Sequence, residues 1–235
     1  MTLPVAILVG GLAMRLRPLT EDIPKALIPI NGKPFIAHQL ELLKSRGISE
    51  VVICAYYRGE QIEEFAGDGS LFGLKVSFSY DGPEPLGTGG ALRKALPLLG
   101  DAFFVLYGDS YLPIDYSAVE NTFTNSGKDA LMTVFRNRDL GDRSNVRFED
   151  GRILAYNKMD RTPEMQHIDY GLGAFKRQAL EAFPEKERLD LAEVYQALLL
   201  KGRLAAFEVH QRFYEVGSFE GIRELETYLK QKKEE

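Results

Sequence analysis

Strand-length apolar runs alternate with helically periodic segments through residues 5–107, and that alternation leaves few folds open. Residues 5–9 form an unbroken apolar run that ends in Gly10-Gly11. Residues 35–46 (FIAHQLELLKSR) carry apolar side chains at helical spacing and stop at Gly47, a C-terminal cap signal. Residues 51–56 read as a strand, 59–66 as a short helix, and 74–80 (LKVSFSY) as a half-buried strand. A helix over 89–99 and a buried strand over 103–107 follow. Strands that alternate with helices demand crossover connections. The expected fold is therefore α/β, with a mostly parallel sheet covered by helices on both faces. Such sheets bind ligands at the carboxyl ends of their strands.

The second half is patterned differently. Short strands are expected over 130–136, 145–149, 152–157 and 166–175, and Asp150-Gly151 marks a hairpin turn. Helices are expected over 189–201 and 219–232, with a strand over 205–210 between them. No repeat or low-complexity segment breaks the chain. Residues 1–235 are read as one domain. A chain of this length buries enough apolar surface to fold without disulfides. The net charge of −5 argues against a nucleic-acid binder. Cys54 is the only cysteine and lies in an apolar run, so it reads as a small buried hydrophobe in a reducing compartment. The apolar N-terminus is too short to span a membrane and lacks the parts of a signal peptide, so a cytoplasmic protein without membrane partners is expected.

Three segments carry chemistry. First, a strand, Gly10-Gly11, then Arg15, Arg17 and Lys25 is a design for binding an anion. Glycines let backbone N–H groups approach a phosphate, and the cations neutralise it. The segment is neither a Walker A loop nor a Rossmann fingerprint. The residues alone also allow a tight turn with solvated basic side chains. Second, Glu84 to Leu96 (EPLGTGGALRKAL) is a glycine-rich loop that feeds a helix. It suits a flat ligand, or a plain turn in which Thr88 caps the helix. Third, Asp109 directly follows a buried strand and so stands at the sheet's carboxyl edge. A carboxylate there suits magnesium, although it could equally cap a turn. The three histidines show no metal-ligand spacing, and no covalent nucleophile is evident.

The segment GGLAMRLRPLTEDIPKALIPINGKPFI resembles the signature of the sugar-phosphate nucleotidyltransferases. It matches at Gly10, Gly11, Arg15, Leu16, Pro18, Leu19, Thr20, Pro24, Lys25, Leu27, Pro29, Gly32, Lys33 and Pro34. It departs at Ala13 and Met14, where that family usually has Gly and Thr or Ser. The resemblance implies a Rossmann-like mixed, mostly parallel sheet of the nucleotide-diphospho-sugar transferase type, with a nucleotide-binding half over about 1–110 and a sugar-binding half over about 111–235. It implies that a nucleoside triphosphate and a sugar 1-phosphate are joined with Mg2+. Arg15 and Lys25 would hold the triphosphate, and Gly10 and Gly11 would give it access. The base would lie near Leu8, Gly10, Gly87, Thr88 and Gly89. Asp109 would be one metal ligand. Glu215, in RFYEVGSF where the family carries Asp, would be the second. On the sugar side the resemblance points to Lys158, Gly171, Asp169 and Tyr111. The nearest members are the heptose-1-phosphate guanylyltransferases and the N-acetylmuramate-1-phosphate uridylyltransferases. A phosphocholine-type cytidylyltransferase on the same fold is the alternative enzyme. An inactive nucleotide-sugar sensor is the alternative non-enzyme, though such a protein should have lost Arg15, Lys25 and Asp109. No hexapeptide repeat is present, so no appended acetyl-transfer domain is expected. The oligomeric state is left open between monomer and homodimer.

Overall fold

The computed structural model describes residues 2–11, 16–137, 143–183 and 188–234. The chain opens with β1 (Val5–Val9), a short ribbon of β2 (Pro29–Ile30) and β3 (Lys33–Pro34), and helix α1 (Phe35–Ser45). Then come β4 (Glu50–Ala55), α2 (Gly59–Ala66), β5 (Lys75–Tyr80), α3 (Gly87–Ala95) and β6 (Ala102–Tyr107). β7 (Ser110–Tyr111), α4 (Tyr116–Ser126) and β8 (Ala130–Arg136) lead into the hairpin of β9 (Val146–Glu149) and β10 (Arg152–Tyr156). The chain continues through β11 (His167–Lys176), α5 (Arg177–Glu181), α6 (Leu191–Leu200), β12 (Leu204–Val209), β13 (Tyr214–Glu215) and α7 (Phe219–Glu234).

Among the described residues one sheet has nine strands, with the path β10-β9-β11-β6-β1-β4-β5, and β8 and β12 branching from β11. β6, β1, β4 and β5 are mutually parallel. The long β11 then runs antiparallel to β6, to β8 and to β9. The sheet is thus mixed, as expected: the first half of the chain supplies the parallel strands β6, β1, β4 and β5, and in the second half β12 runs parallel to β8.

Alternation along the strands sorts the core onto two faces. Val5, Ile7 and Val9 of β1, with Phe104 and Leu106 of β6, pack under α1, α2 and α4. Ala6, Phe103 and Val105 point the other way and pack with Leu92 of α3, Phe175, and Val194 and Tyr195 of α6. A third, smaller cluster seats α7 through Ile222, Leu225 and Leu229 against Leu16, Ile28, Phe35 and Tyr111.

The expected helix over 89–99 starts earlier, at Gly87, and its last turn tightens into a 3-10 turn over Leu96–Leu98. Helix α4 was not expected from the sequence. Its Asp115 cap accepts from Ser117 N at 2.9 Å and Ala118 N at 3.2 Å, and Gly127 closes it at φ +65. Only Tyr116, Val119 and Phe123 are buried among polar residues, which hides the periodicity. The hairpin turn reads as expected. Asp150 (φ +48) and Gly151 (φ +76) both take left-handed conformations, the pair a two-residue hairpin requires.

Candidate active site

The carboxyl ends of β1, β4, β5 and β6 open into a cavity of about 490 Å³. Gly10 and Gly11 line it as they leave β1. A Cβ on Gly10 would stand 3.3 Å from the Tyr56 Cβ, whereas one on Gly11 would meet nothing within 4 Å. Close packing therefore constrains Gly10 but not Gly11. Arg15, Ala13 and Met14 lie outside the described residues. Arg17 is exposed and is not part of the cavity wall.

Asp109 is held by backbone on several sides. Gly108 N donates to Leu8 O at 2.9 Å, and a Cβ on Gly108 would lie 2.5 Å from that same oxygen. Only glycine lets the turn after β6 press onto the end of β1. Gln39 of α1 donates to Ser110 O at 2.7 Å and to Tyr107 O at 3.3 Å. Val216 N donates to Asp109 O at 2.9 Å, which ties the turn to the β7–β13 ribbon. Against this fixed carboxylate stands Lys25, with Nζ 3.0 Å from Oδ2. Lys25 and Asp109 both line the cavity.

Glu215 sits across the ribbon from Ser110, one residue past Asp109. Its carboxylate lies over Gly217, where a Cβ would come within 3.1 Å of Oε1. Asp109 lines the cavity and Glu215 does not; each offers hard oxygen donors, the type Mg2+ takes alongside phosphate oxygens and water. Among the described residues no group of three or more His, Cys, Asp or Glu side chains is arranged to hold a metal. The histidines serve elsewhere: His38 bonds Ile30 O, and His167 meets Glu208.

The opposite wall comes from the glycine-rich loop and from residues a hundred positions later. Gly87 (φ +76) and Thr88 line the cavity, and Leu8 and Val9 do so from β1. Thr88 does not cap its own helix. It lies inside α3, and its hydroxyl accepts from Leu191 N at 2.8 Å and approaches Asp190 Oδ1 at 3.3 Å. It therefore helps Asp190 start α6, whose first turn carries a capping box with Glu193. Gly89 does not line the cavity. It packs on Leu189, where a Cβ would come 2.9 Å from Cγ, and its N–H donates to Leu189 O at 2.9 Å. The resemblance places Gly89 beside the base; in the structure it packs on Leu189, between Thr88 and Ala91 of the cavity wall. Asp81, Tyr107, Arg188, Asp190 and Glu193 also line the cavity and were not singled out from the sequence. Only the pattern D-L-A-E at 190–193 could have flagged two of them, as a helix start. Cys54 lines the cavity too, but burial pushes its thiol up to about 12.

Tyr107 joins this cavity to the residues expected on the sugar side. Its hydroxyl is 3.5 Å from Lys158 Nζ, and the ammonium lies 5.3 Å from its ring centre. Asp169 accepts from Tyr156 OH at 3.4 Å and from Gly171 N at 3.2 Å. Burial raises the Asp169 carboxyl above its ordinary value, and Lys158 pulls it back. Burial also holds the Tyr107 phenol well above its usual range. Gly171 (φ +103) sits in a bulge of β11, and a Cβ there would press to 3.3 Å from Ser110 Oγ. Lys158, Asp169, Gly171 and Tyr107 thus come together beside β6. Tyr111 does not join them. Its ring is buried at 4% exposure against Tyr228 of α7, because the ribbon turns its side chain away from the cavity into the third core cluster.

The family model for nucleotidyl transferases matches residues 5–232. The chain is similar to the D-glycero-alpha-D-manno-heptose 1-phosphate guanylyltransferase of Campylobacter jejuni, with 43% identity over 48% of this chain and 51% of that protein. It is also similar to the N-acetylmuramate alpha-1-phosphate uridylyltransferase of Neisseria meningitidis, with 43% identity over 49% of this chain and 51% of that protein. The matches span about half the length of these relatives. In fold it is similar to HddC of Yersinia pseudotuberculosis, solved in complex with GMP-PN, at a TM-score of 0.81 and 24% identity, covering 97% of this chain and 100% of that one. With the family model matched across nearly its whole length, the chain belongs to the nucleotidyl transferase family.

Proposed function

We propose that this protein joins a nucleoside triphosphate to a sugar 1-phosphate and releases pyrophosphate. The observation that carries the reading is the Lys25–Asp109 pair, 3.0 Å apart, beside Gly10-Gly11 in the cavity wall. It puts a cation and a fixed carboxylate where a doubly wound sheet presents its ligands. The names of the relatives, a heptose 1-phosphate guanylyltransferase and an N-acetylmuramate 1-phosphate uridylyltransferase, support a sugar 1-phosphate as acceptor.

In the step, an oxygen of the sugar phosphate forms a bond to the α-phosphorus. The bond from that phosphorus to the oxygen bridging to the β-phosphate breaks, and pyrophosphate leaves with its electrons. The attacking oxygen is already ionised at neutral pH, so no side chain need take a proton. The protein's task is to align two anions and screen their charge. Lys25 neutralises the triphosphate next to the reacting phosphorus, and by resemblance Arg15 shares that task. Lys158, held against Tyr107, takes the phosphate of the sugar. Gly171 leaves room for the sugar beside β6, and Asp169 accepts hydrogen bonds from its hydroxyls. Asp109 and Glu215 would hold Mg2+, which when bound supplies further charge neutralisation between phosphates. Nucleoside triphosphate as substrate fits a cytoplasmic reaction. Among the described residues no helix is long and apolar enough to cross a membrane.

The test is a grid of nucleoside triphosphates against several sugar 1-phosphates and phosphocholine, with magnesium, scored by pyrophosphate release. Release with a sugar 1-phosphate is the expected result. Release with phosphocholine alone would replace the acceptor class, and no release from folded protein would replace the reaction with nucleotide sensing.

A further inference from the structure

The carboxylates in the cavity wall are not equivalent. Asp109 is paired with Lys25, and Asp190 and Glu193 build the capping box of α6. Asp81 takes one hydrogen bond through Oδ2, from Leu86 N at 2.9 Å, and among the described residues its Oδ1 accepts none. It stands at the carboxyl end of β5, held there as its N–H donates to Ala55 O at 3.1 Å.

β5 is three strands away from β6 along the order β6-β1-β4-β5. At ~4.8 Å per strand, about 14 Å separates Asp81 from Asp109. Triphosphate belongs at the Lys25 end, where Gly10 and Gly11 also line the cavity, whereas at the other end Lys94 Nζ is tied to Asp81 O at 3.0 Å. The base of the nucleotide is left for the Asp81 end, where Leu8, Pro85 and Ala91 supply apolar wall for a flat ring. Arg188 joins the same wall: a Cβ on Gly87, next to the Leu86 that binds Asp81, would lie 3.2 Å from its Cγ.

A carboxylate only accepts hydrogen bonds, and a guanidinium only donates them. Guanine alone among the common bases presents two adjacent donors, N1–H and the 2-amino group, with an acceptor, O6, beside them. Uracil and thymine present one N–H between two carbonyls, which a carboxylate repels. Adenine and cytosine present one amino group beside a bare ring nitrogen. We infer that the cavity selects a guanine nucleotide, with Asp81 accepting from N1–H and the 2-amino group and Arg188 facing O6. This rests on the nucleotidyl-transfer reading only for the orientation of the triphosphate.

Calorimetric binding of GTP, UTP, dTTP, CTP and ATP to the full chain with magnesium tests it. GTP should bind about ten- to a hundred-fold tighter than the others, the worth of one bidentate base contact. In Asp81→Asn, GTP should weaken by a similar factor. Xanthosine triphosphate, which carries a carbonyl where guanine has the amino group, should bind this variant better than it binds the parent. That exchange of preference is one a merely structural role would not produce. Any other nucleotide binding the parent as tightly as GTP overturns the assignment, and this result needs no variant to fold. So does an Asp81→Asn protein that weakens all five nucleotides alike. Pyrophosphate release separates the two readings. Release from UTP but not GTP overturns the guanine assignment and leaves the transfer reaction standing. Tight, selective GTP binding with no release to any sugar 1-phosphate overturns the reaction and leaves the base assignment standing.

Discussion

Replacing Lys25 by alanine separates what this side chain does for folding from what it does for phosphate chemistry. Its ion pair with Asp109 is 3.0 Å long, with the two side chains 19% and 35% exposed. At that exposure water screens the pair, so its share in stability is on the order of 0–1 kcal/mol. For a domain of this size such a loss moves the melting midpoint by about 2–4 °C at most. Toward a bound triphosphate the charge acts differently. Two unit charges ~4 Å apart interact by about 4 kcal/mol at an effective dielectric of ~20. The share felt only by the transition state is comparable to that of one positioned donor, about 2.7–4 kcal/mol, or 10²–10³ in turnover. Lys25→Ala should therefore lower kcat by about a hundredfold or more while its melting curve stays within a few degrees of the parent. The assay is pyrophosphate release at saturating triphosphate and sugar 1-phosphate, run beside differential scanning calorimetry. A loss below about threefold in a folded variant would refute a role for this charge in the transition state. A large loss that tracks a collapsed melting curve would show the lysine to be structural instead.

Three further outcomes follow from named contacts. Gly108→Ala places a Cβ 2.5 Å from the Leu8 carbonyl oxygen and from Val9 Cγ1, and the backbone oxygen cannot swing away. Urea denaturation should show a loss of about 1–3 kcal/mol, and activity should fall by about a hundredfold as Asp109 shifts; near-parental values for both would contradict the packing. Lys158→Ala should raise KM for the sugar 1-phosphate by about ten- to a hundred-fold, the worth of a hydrogen bond to a charged group. The dissociation constant for the nucleoside triphosphate should stay unchanged, and a nucleotide defect of equal size would place Lys158 on the wrong substrate. Asp169 has its carboxyl raised by burial, opposed by Lys158, by the Gly171 N–H and by the Tyr156 hydroxyl. The folded chain therefore holds this proton more tightly than the unfolded one, and the stability it lends below the unfolded pKa is lost as pH rises through the folded pKa. Asp169→Asn, neutral throughout, should gain stability relative to the parent between acid and neutral pH in urea titrations; a difference that does not vary with pH would contradict the raised pKa.

What could be read from the sequence divides along the distance over which information travels. β1, β4 and β6 were visible because each is a local apolar run buried on both faces, and a parallel strand needs no partner in sequence to show itself. Asp109 was placed at the sheet edge for the same local reason, since it follows such a run. Helix α4 was missed because Ser, Asn and Thr fill it, although Asp115 and Gly127 mark its two ends. Tyr111 was misplaced because its direction is set by pairing with Tyr214, more than a hundred residues downstream, which turns it toward α7 rather than the cavity. Gly89 packs on Leu189, and no spacing within the loop reveals that contact. The same long-range junction, α3 docking on the start of α6, brings Arg188 and Asp190 into the cavity wall beside Gly87. Lys25 and Asp109, the charged pair proposed for the reaction, were thus partly legible as local motifs, whereas the wall proposed for the base is assembled by tertiary packing. A chain of this family could therefore keep the Lys25–Asp109 pair and change its base by altering residues 81 and 188.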